Sequence, residues 1–265
     1  MNPKINEFIR AIQKVSPSRR PYETFRDFVE LVAIRISNRV DPVHYEAREK
    51  TALHTQKQYN DDENRRIYEA FILLFEIIKS NLEREIFEDV LGRVFEEICV
   101  KVKGQDFTPG NMARLMAKIT FQKDFVFPQR GYITFSDPTC GSGVLALAAA
   151  ERVQEMGISC FDQFVALAVD IEVRSLYMTY IQMSLYGIPA VVLHGNTITC
   201  EEYSRWYTPM YIRGNWIWKQ PLGFTCGRHL GDEKLKMMTE PAYLNWRYVD
   251  ALFKQGNKPR KEKSG

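Results

Sequence analysis

The 265-residue chain is 45% hydrophobic and 12% aromatic and carries a formal charge of +3. This supplies a sizeable core, in one large domain or two small ones, and the mild basicity by itself neither requires nor excludes nucleic acid. No apolar run reaches the roughly 18–20 residues of a membrane span, and the opening MNPKINEFIR has no signal-peptide stretch. Five cysteines (Cys99, Cys140, Cys160, Cys200, Cys226) are odd in number and lack CxxC spacing. They suggest neither a zinc site nor a disulfide framework and read as reduced thiols of a cytoplasmic protein.

The first hundred residues carry helical periodicity. In residues 21–40, Phe25, Phe28, Val29, Val32 and Ile36 recur at spacings of three and four behind Pro21, which suits a first helical turn. Residues 63–81 repeat the pattern with Ile67, Phe71, Leu74, Phe75 and Ile78, and residues 82–100 do so again. The intervening 41–62 is polar and aperiodic and reads as a loop. A helical domain over 1–103 is expected.

The pattern then changes. YITFSD, QFVALAVD and AVVLHG are short apolar runs bounded by turn residues and separated by helical stretches at 143–156 and 173–186. Strands alternating with helices of this length predict βαβ units, hence a parallel sheet covered on both faces. The aromatic stretch 201–231 has no clear assignment. Residues 232–253 suggest one or two helices broken at Pro241, and 254–265 a basic, disordered tail.

The turn after the first of these strands reads DPTCGSG, residues 137–143. Gly141 and Gly143 bare the backbone where a ligand can approach, and the helix that follows presents free N–H groups. The spacing is not GxGxxG, and the Lys-Ser/Thr of a P-loop is missing. Asp137, four residues before Gly141, repels a pyrophosphate but attracts an ammonium or sulfonium group. A ligand with both an amine and a carboxylate fits, namely the methionine half of S-adenosylmethionine. Asp170, ending the second strand, is placed for ribose hydroxyls or, alternatively, for capping the next helix. Asn196 after the third strand reads either as an adenine contact or as a turn residue. Cys140 reads as a small buried side chain, since no neighbouring His or Lys is evident to activate it.

GQDFTP (104–109), DPTCGSG (137–143), AVDIE (168–172) and HGNT (194–197), in this order, resemble the adenine-N6 DNA methyltransferases. The likeness is greatest to the modification subunit of type I restriction systems, and it runs from Asp89 to Thr197, taking in DVLGRVFEEI. The resemblance implies a Rossmann-like S-adenosylmethionine-dependent methyltransferase fold over 104–253. It implies that Phe107 and Thr108 touch the cofactor and that Pro109 begins a helix. The segment Asp137, Pro138, Thr139, Cys140, Gly141 and Gly143 then holds the amino-acid part, Asp170 the ribose and Ile171 the adenine. Implied partners are DNA and a specificity subunit or other protein, with no metal and no membrane.

That family also carries Asn/Asp-Pro-Pro-Tyr/Phe, whose acceptors make the adenine amine nucleophilic while the aromatic ring stacks on the flipped base. This chain has no Pro-Pro. The nearest candidate is WYTPM, residues 206–210, which puts Tyr207, Thr208 and Pro209 in the catalytic position. A threonine hydroxyl is a weak substitute there, since it donates as well as accepts. Asn215 and Trp216 in GNWIW are a second possibility. Trp206, Tyr207, Trp216 and Trp218 are either base-stacking or core aromatics. Two functions follow: methyl transfer to adenine in DNA, or a catalytically silent relative that binds the cofactor, DNA or a protein in a restriction or phage-defence setting.

Overall fold

The computed structural model describes residues 3–98 and 108–219. Five helices come first: α1 (Pro3–Lys14), α2 (Pro21–Ser37), α3 (Tyr45–Gln56), α4 (Asp61–Leu82) and α5 (Val90–Ile98). There follow α6 (Gly110–Thr120), β1 (Ile133–Asp137), α7 (Val144–Glu155), β2 (Phe164–Asp170), α8 (Val173–Leu185), β3 (Ala190–Asn196), β4 (Glu201–Tyr207), α9 (Pro209–Arg213) and α10 (Trp216–Lys219). The sheet order is β1-β2-β3-β4. The first three strands are parallel, and β4 returns antiparallel to β3.

The sheet's two faces feed separate cores, as continuous apolar strands require. On one, Ala166, Ala168 and Val192 join Leu147 and Ala150 of α7 and Tyr180 of α8. That cluster continues without a break into Phe8, Phe25, Phe28, Val94 and Phe95 of the N-terminal helices. On the other, Val165, Val169, Val191 and Leu193 meet Tyr207, Tyr211 and Trp216. The expected 1–103 boundary falls among residues outside those described, as does everything from 220 onward.

Three local readings change. Residues 41–62 contain α3, whose inward residues are Arg48, Ala52 and Thr55, so it has no apolar stripe to reveal it. Arg48 makes this helix cohere with the rest. It donates to Ser37, to Asp41 Oδ2 at 2.7 Å and to the Arg205 carbonyl of β4 at 2.6 Å, and it lies 3.8 Å over the Trp206 ring. The stretch 82–100 is not one helix. The chain turns between α4 and α5, with Glu85 at φ 56°. Residues 201–207 form a strand whose outer half is exposed and polar, so the apolar alternation of a strand shows only at its end.

Candidate functional site

The parallel strands end side by side, with Asp137 paired in register to Ala168 and Asp170 to His194. The β1–α7 turn folds over these ends. Gly141 has φ 54° and Gly143, the residue before α7, φ 91°. A Cβ on Gly143 would stand 3.0 Å from Thr179 Oγ1, so the turn is bare for both conformational and steric reasons. Cys140 N–H donates to the Val169 carbonyl at 2.9 Å and Gly143 N–H to the Cys140 carbonyl at 2.7 Å. The turn is thus pinned to β2 and closed on itself.

Asp137 is only 3% exposed. Its Oδ1 accepts from Thr139 N–H at 3.2 Å, while Oδ2 is buried with no partner among the described residues. Burial, joined by the charge of Asp170, raises its pKa, and the Thr139 hydrogen bond opposes this. Asp170 spans two loops: Oδ2 accepts from Gly141 N–H and Oδ1 from Glu172 N–H, each at 2.8 Å. Burial lifts this carboxyl too, against those two hydrogen bonds. Each oxygen retains a second acceptor position, so holding the turn leaves room for a hydroxyl donor. Next to it Ile171 is 64% exposed and Val173 40%, an apolar shelf at the lip of the sheet.

The remaining candidates divide. Pro138 and Thr139 lie exposed on the turn. Cys140 is buried and its thiol is raised well above the usual range by burial, which removes it as a nucleophile. Thr108 borders a cleft of about 350 Å³ shared with Pro109, Asp89, Arg114 and Val144; Phe107 lies outside the described residues. Asn196 Oδ1 accepts from Ile198 N–H at 2.9 Å and Thr199 N–H at 3.3 Å. Asn196 Oδ1 therefore closes the β3–β4 turn. Thr197 Oγ1 donates to the Pro138 carbonyl at 2.6 Å, tying that hairpin to the glycine turn.

Tyr207, Thr208 and Pro209 are not brought to this site. Because β4 is antiparallel, Glu201 faces Asn196 but Tyr207 faces Val191 near the start of β3. Five residues of strand, about 16 Å, separate the two ends. Thr208 is fully buried. Its hydroxyl accepts from Ala190 N–H, donates to the Ile188 carbonyl, both at 2.9 Å, and caps α9. Tyr207 stacks on Tyr211, and Pro209 opens α9. Trp206 packs between Tyr177 and Tyr180, and Trp216 against Tyr132. These residues build the core, and only Trp218 leaves much of its ring in solvent, at 46% exposed. Thr208→Val should therefore lower stability by about 1–3 kcal/mol, through the stranded Ala190 N–H and Ile188 carbonyl. Cofactor affinity should stay unchanged, as thermal unfolding and titration calorimetry on the same sample would show.

Among the described residues no helix is long and apolar enough to cross a membrane, and no group of three or more His, Cys, Asp or Glu is placed to hold a metal ion. What remains is an α/β sheet of three parallel strands and one antiparallel strand, with a glycine turn and two acidic residues at the carboxyl ends of the parallel strands, where open α/β sheets bind ligands. The sequence matches the N-6 DNA methylase family over residues 82–224, more than half its length. The chain belongs to that family. A crystal structure of the type I restriction-modification system methyltransferase subunit from Streptococcus thermophilus aligns with a TM-score of 0.41 and 20% identity, over 64% of this chain and 37% of that one. The chain thus covers well under half of that subunit. No curated protein matches the sequence.

Proposed function

We propose that the chain binds S-adenosylmethionine and transfers its methyl group to the amino group of adenine in DNA. The observation that carries the cofactor reading is Asp137: a buried carboxylate beside a glycine turn, one of whose oxygens has no partner among the described residues. An α-ammonium group satisfies that oxygen, and the amino end of α7 suits the neighbouring carboxylate. Asp170 accepts from ribose hydroxyls, while Ile171 and Val173 carry the adenine ring. Phe107 and Thr108 close the methionine end, and residues 138–141 and Gly143 contribute chiefly backbone. The cofactor, when bound, supplies a sulfonium-activated methyl that needs no metal. The chain's part is to orient that methyl at the strand ends and to keep the site dry.

The substrate reading rests on family membership. Adenine presented from a duplex must leave the stack, and its amine needs two hydrogen-bond acceptors. Tyr207, Thr208 and Pro209 lie at the far end of β3 and do not supply them. This favours a second reading, a family member that retains the cofactor and has given up transfer, acting through DNA or a protein partner such as a specificity subunit. Both readings are of a cytoplasmic protein, the first acting on DNA and the second on DNA or a protein partner.

Incubation with radiolabelled S-adenosylmethionine and either duplex or single-stranded DNA, followed by nucleoside analysis, separates the two. Label in N6-methyladenine supports transfer. Saturable cofactor binding with no label in any DNA refutes transfer and leaves the second reading.

A further inference from the structure

The DVLG segment that opens α5 reaches the glycine turn through Asp89, which also borders the cleft beside Thr108. Ser142, fully buried in the middle of the turn, donates its hydroxyl to Asp89 Oδ2 at 2.5 Å. Asp89 Oδ1 accepts from Gly92 N–H at 2.8 Å, capping α5, and from Gln182 Nε2 at 2.9 Å. Gln182, also fully buried, donates from the same nitrogen to the Ser142 carbonyl at 2.8 Å. Its Oε1 accepts from Val90 N–H at 2.7 Å and Leu91 N–H at 3.1 Å. The first three N–H groups of α5 are thereby satisfied by one carboxylate and one amide that also grip the turn.

Two features show that this space is kept for the clamp. A Cβ on Gly92 would lie 2.2 Å from Asp89 Oδ2 and 2.5 Å from Ser142 Oγ. Only glycine admits the Asp89–Ser142 contact. On α8 and its C-cap, Thr179, Gln182 and Tyr186 recur at helical spacing and form one polar stripe. Thr179 Oγ1 donates to the Gly141 carbonyl at 2.9 Å, and Tyr186 Oη donates to the Glu88 carbonyl at 2.8 Å. That stripe runs from the glycine turn to the start of α5.

We infer that Asp89 is a positioning residue for the cofactor site, holding Ser142 and with it the glycine turn in its binding conformation. The inference rests on the cofactor reading for its ligand but not for its geometry. It makes the carboxylate that begins α5, outside the sheet, a determinant of affinity as well as of folding.

Three variants separate positioning from helix capping. Serine at 89 can still cap Gly92 but cannot reach Ser142 and Gln182. Asparagine keeps both the cap and the reach. Ser142→Ala removes the hydroxyl and leaves the cap alone. Affinity for S-adenosylmethionine is read by titration calorimetry, and the turn itself by hydrogen exchange of the peptide spanning 139–147, with thermal unfolding to confirm the fold. Asp89→Ser and Ser142→Ala should each weaken binding and speed turn exchange by about tenfold, while Asp89→Asn stays within about threefold of wild type. Wild-type exchange and affinity in Asp89→Ser, or in Ser142→Ala should the former not fold, overturn the inference. So does an Asn variant as impaired as the Ser variant. Should wild type bind no cofactor at all, the cofactor reading falls, and unchanged exchange across the variants would then refute the positioning role independently.

Discussion

Asp137→Ala is expected to weaken S-adenosylmethionine binding by about a hundredfold, the largest loss of any single substitution in the site. The carboxylate is buried, one oxygen is engaged by Thr139, and the other has no partner among the described residues. Bringing an ammonium group to that oxygen converts an uncompensated buried charge into a paired one, and such charge-assisted contacts are the strong ones. Asp137→Asn should lose nearly as much, because the amide that replaces Oδ2 meets the ammonium as a donor. The same variant should leave the cofactor-free protein about 1 kcal/mol more stable, since the charge it removes is one that burial disfavours.

The pH dependence follows in sign. A carboxyl raised in the folded state binds its proton more tightly there than in the unfolded chain. Its contribution to apo stability therefore falls as pH climbs from the ordinary carboxylate range through the raised value. Affinity for the ammonium runs the other way and grows over the same window as Asp137 ionises. Calorimetric titrations across that window in wild type and Asp137→Asn check both. An unaltered affinity in either variant would remove Asp137 from the site.

The glycine turn is readable in the sequence because its constraints are local. A carboxylate closing a strand, two glycines and an Ala/Leu-rich helix can form only a bare strand-to-helix turn, and Gly141 and Gly143 both take positive φ. The direction of β4 is a different kind of fact. WYTP is the nearest match to the family's catalytic motif, and a motif match does not say which end of the sheet a segment occupies. The signal lay in spacing. Only four residues separate Asn196 from Glu201, whereas a parallel crossover needs a dozen or more. A hairpin was the one connection available, and it carries Thr208 away from Asp137 and Asp170. Similarly, α3 was hidden because its buried face is polar, and periodicity reports apolar stripes only. The Asp89 clamp leaves a fainter trace: Asp three residues before a helical glycine, an N-cap whose glycine has no reason to exist until Ser142 is placed above it.

That hidden α3 carries the second large effect. Arg48→Met should destabilise the protein by about 3–5 kcal/mol, which for a chain of this size lowers the melting temperature by roughly 10 °C. Asp41 is fully buried and accepts from Arg48 and from His44 Nδ1, each at 2.7 Å. Burial alone would push its pKa up. The His44 hydrogen bond and the Arg48 charge outweigh that and hold it below the ordinary value. Stability from this depressed carboxyl is present above the unfolded pKa and is lost as pH falls through the folded one, so wild type should soften by more than the variant as pH falls below the ordinary carboxylate range. Methionine matches the length of the arginine stem but leaves the buried carboxylate to His44 alone, removes a donor from the Ser37 hydroxyl and from the Arg205 carbonyl, and abandons the Trp206 face. Adding Asp41→Leu to Arg48→Met should recover much of the loss, because an apolar pair can replace a buried ion pair at little penalty, whereas half a pair cannot. Cofactor affinity in the folded variants should stay within about threefold of wild type, since Arg205 pairs with Leu193 inside the sheet rather than with the strand ends. A single Arg48→Met variant that unfolds within 2 °C or so of wild type would show that this arginine decorates the helix–sheet junction rather than holding it.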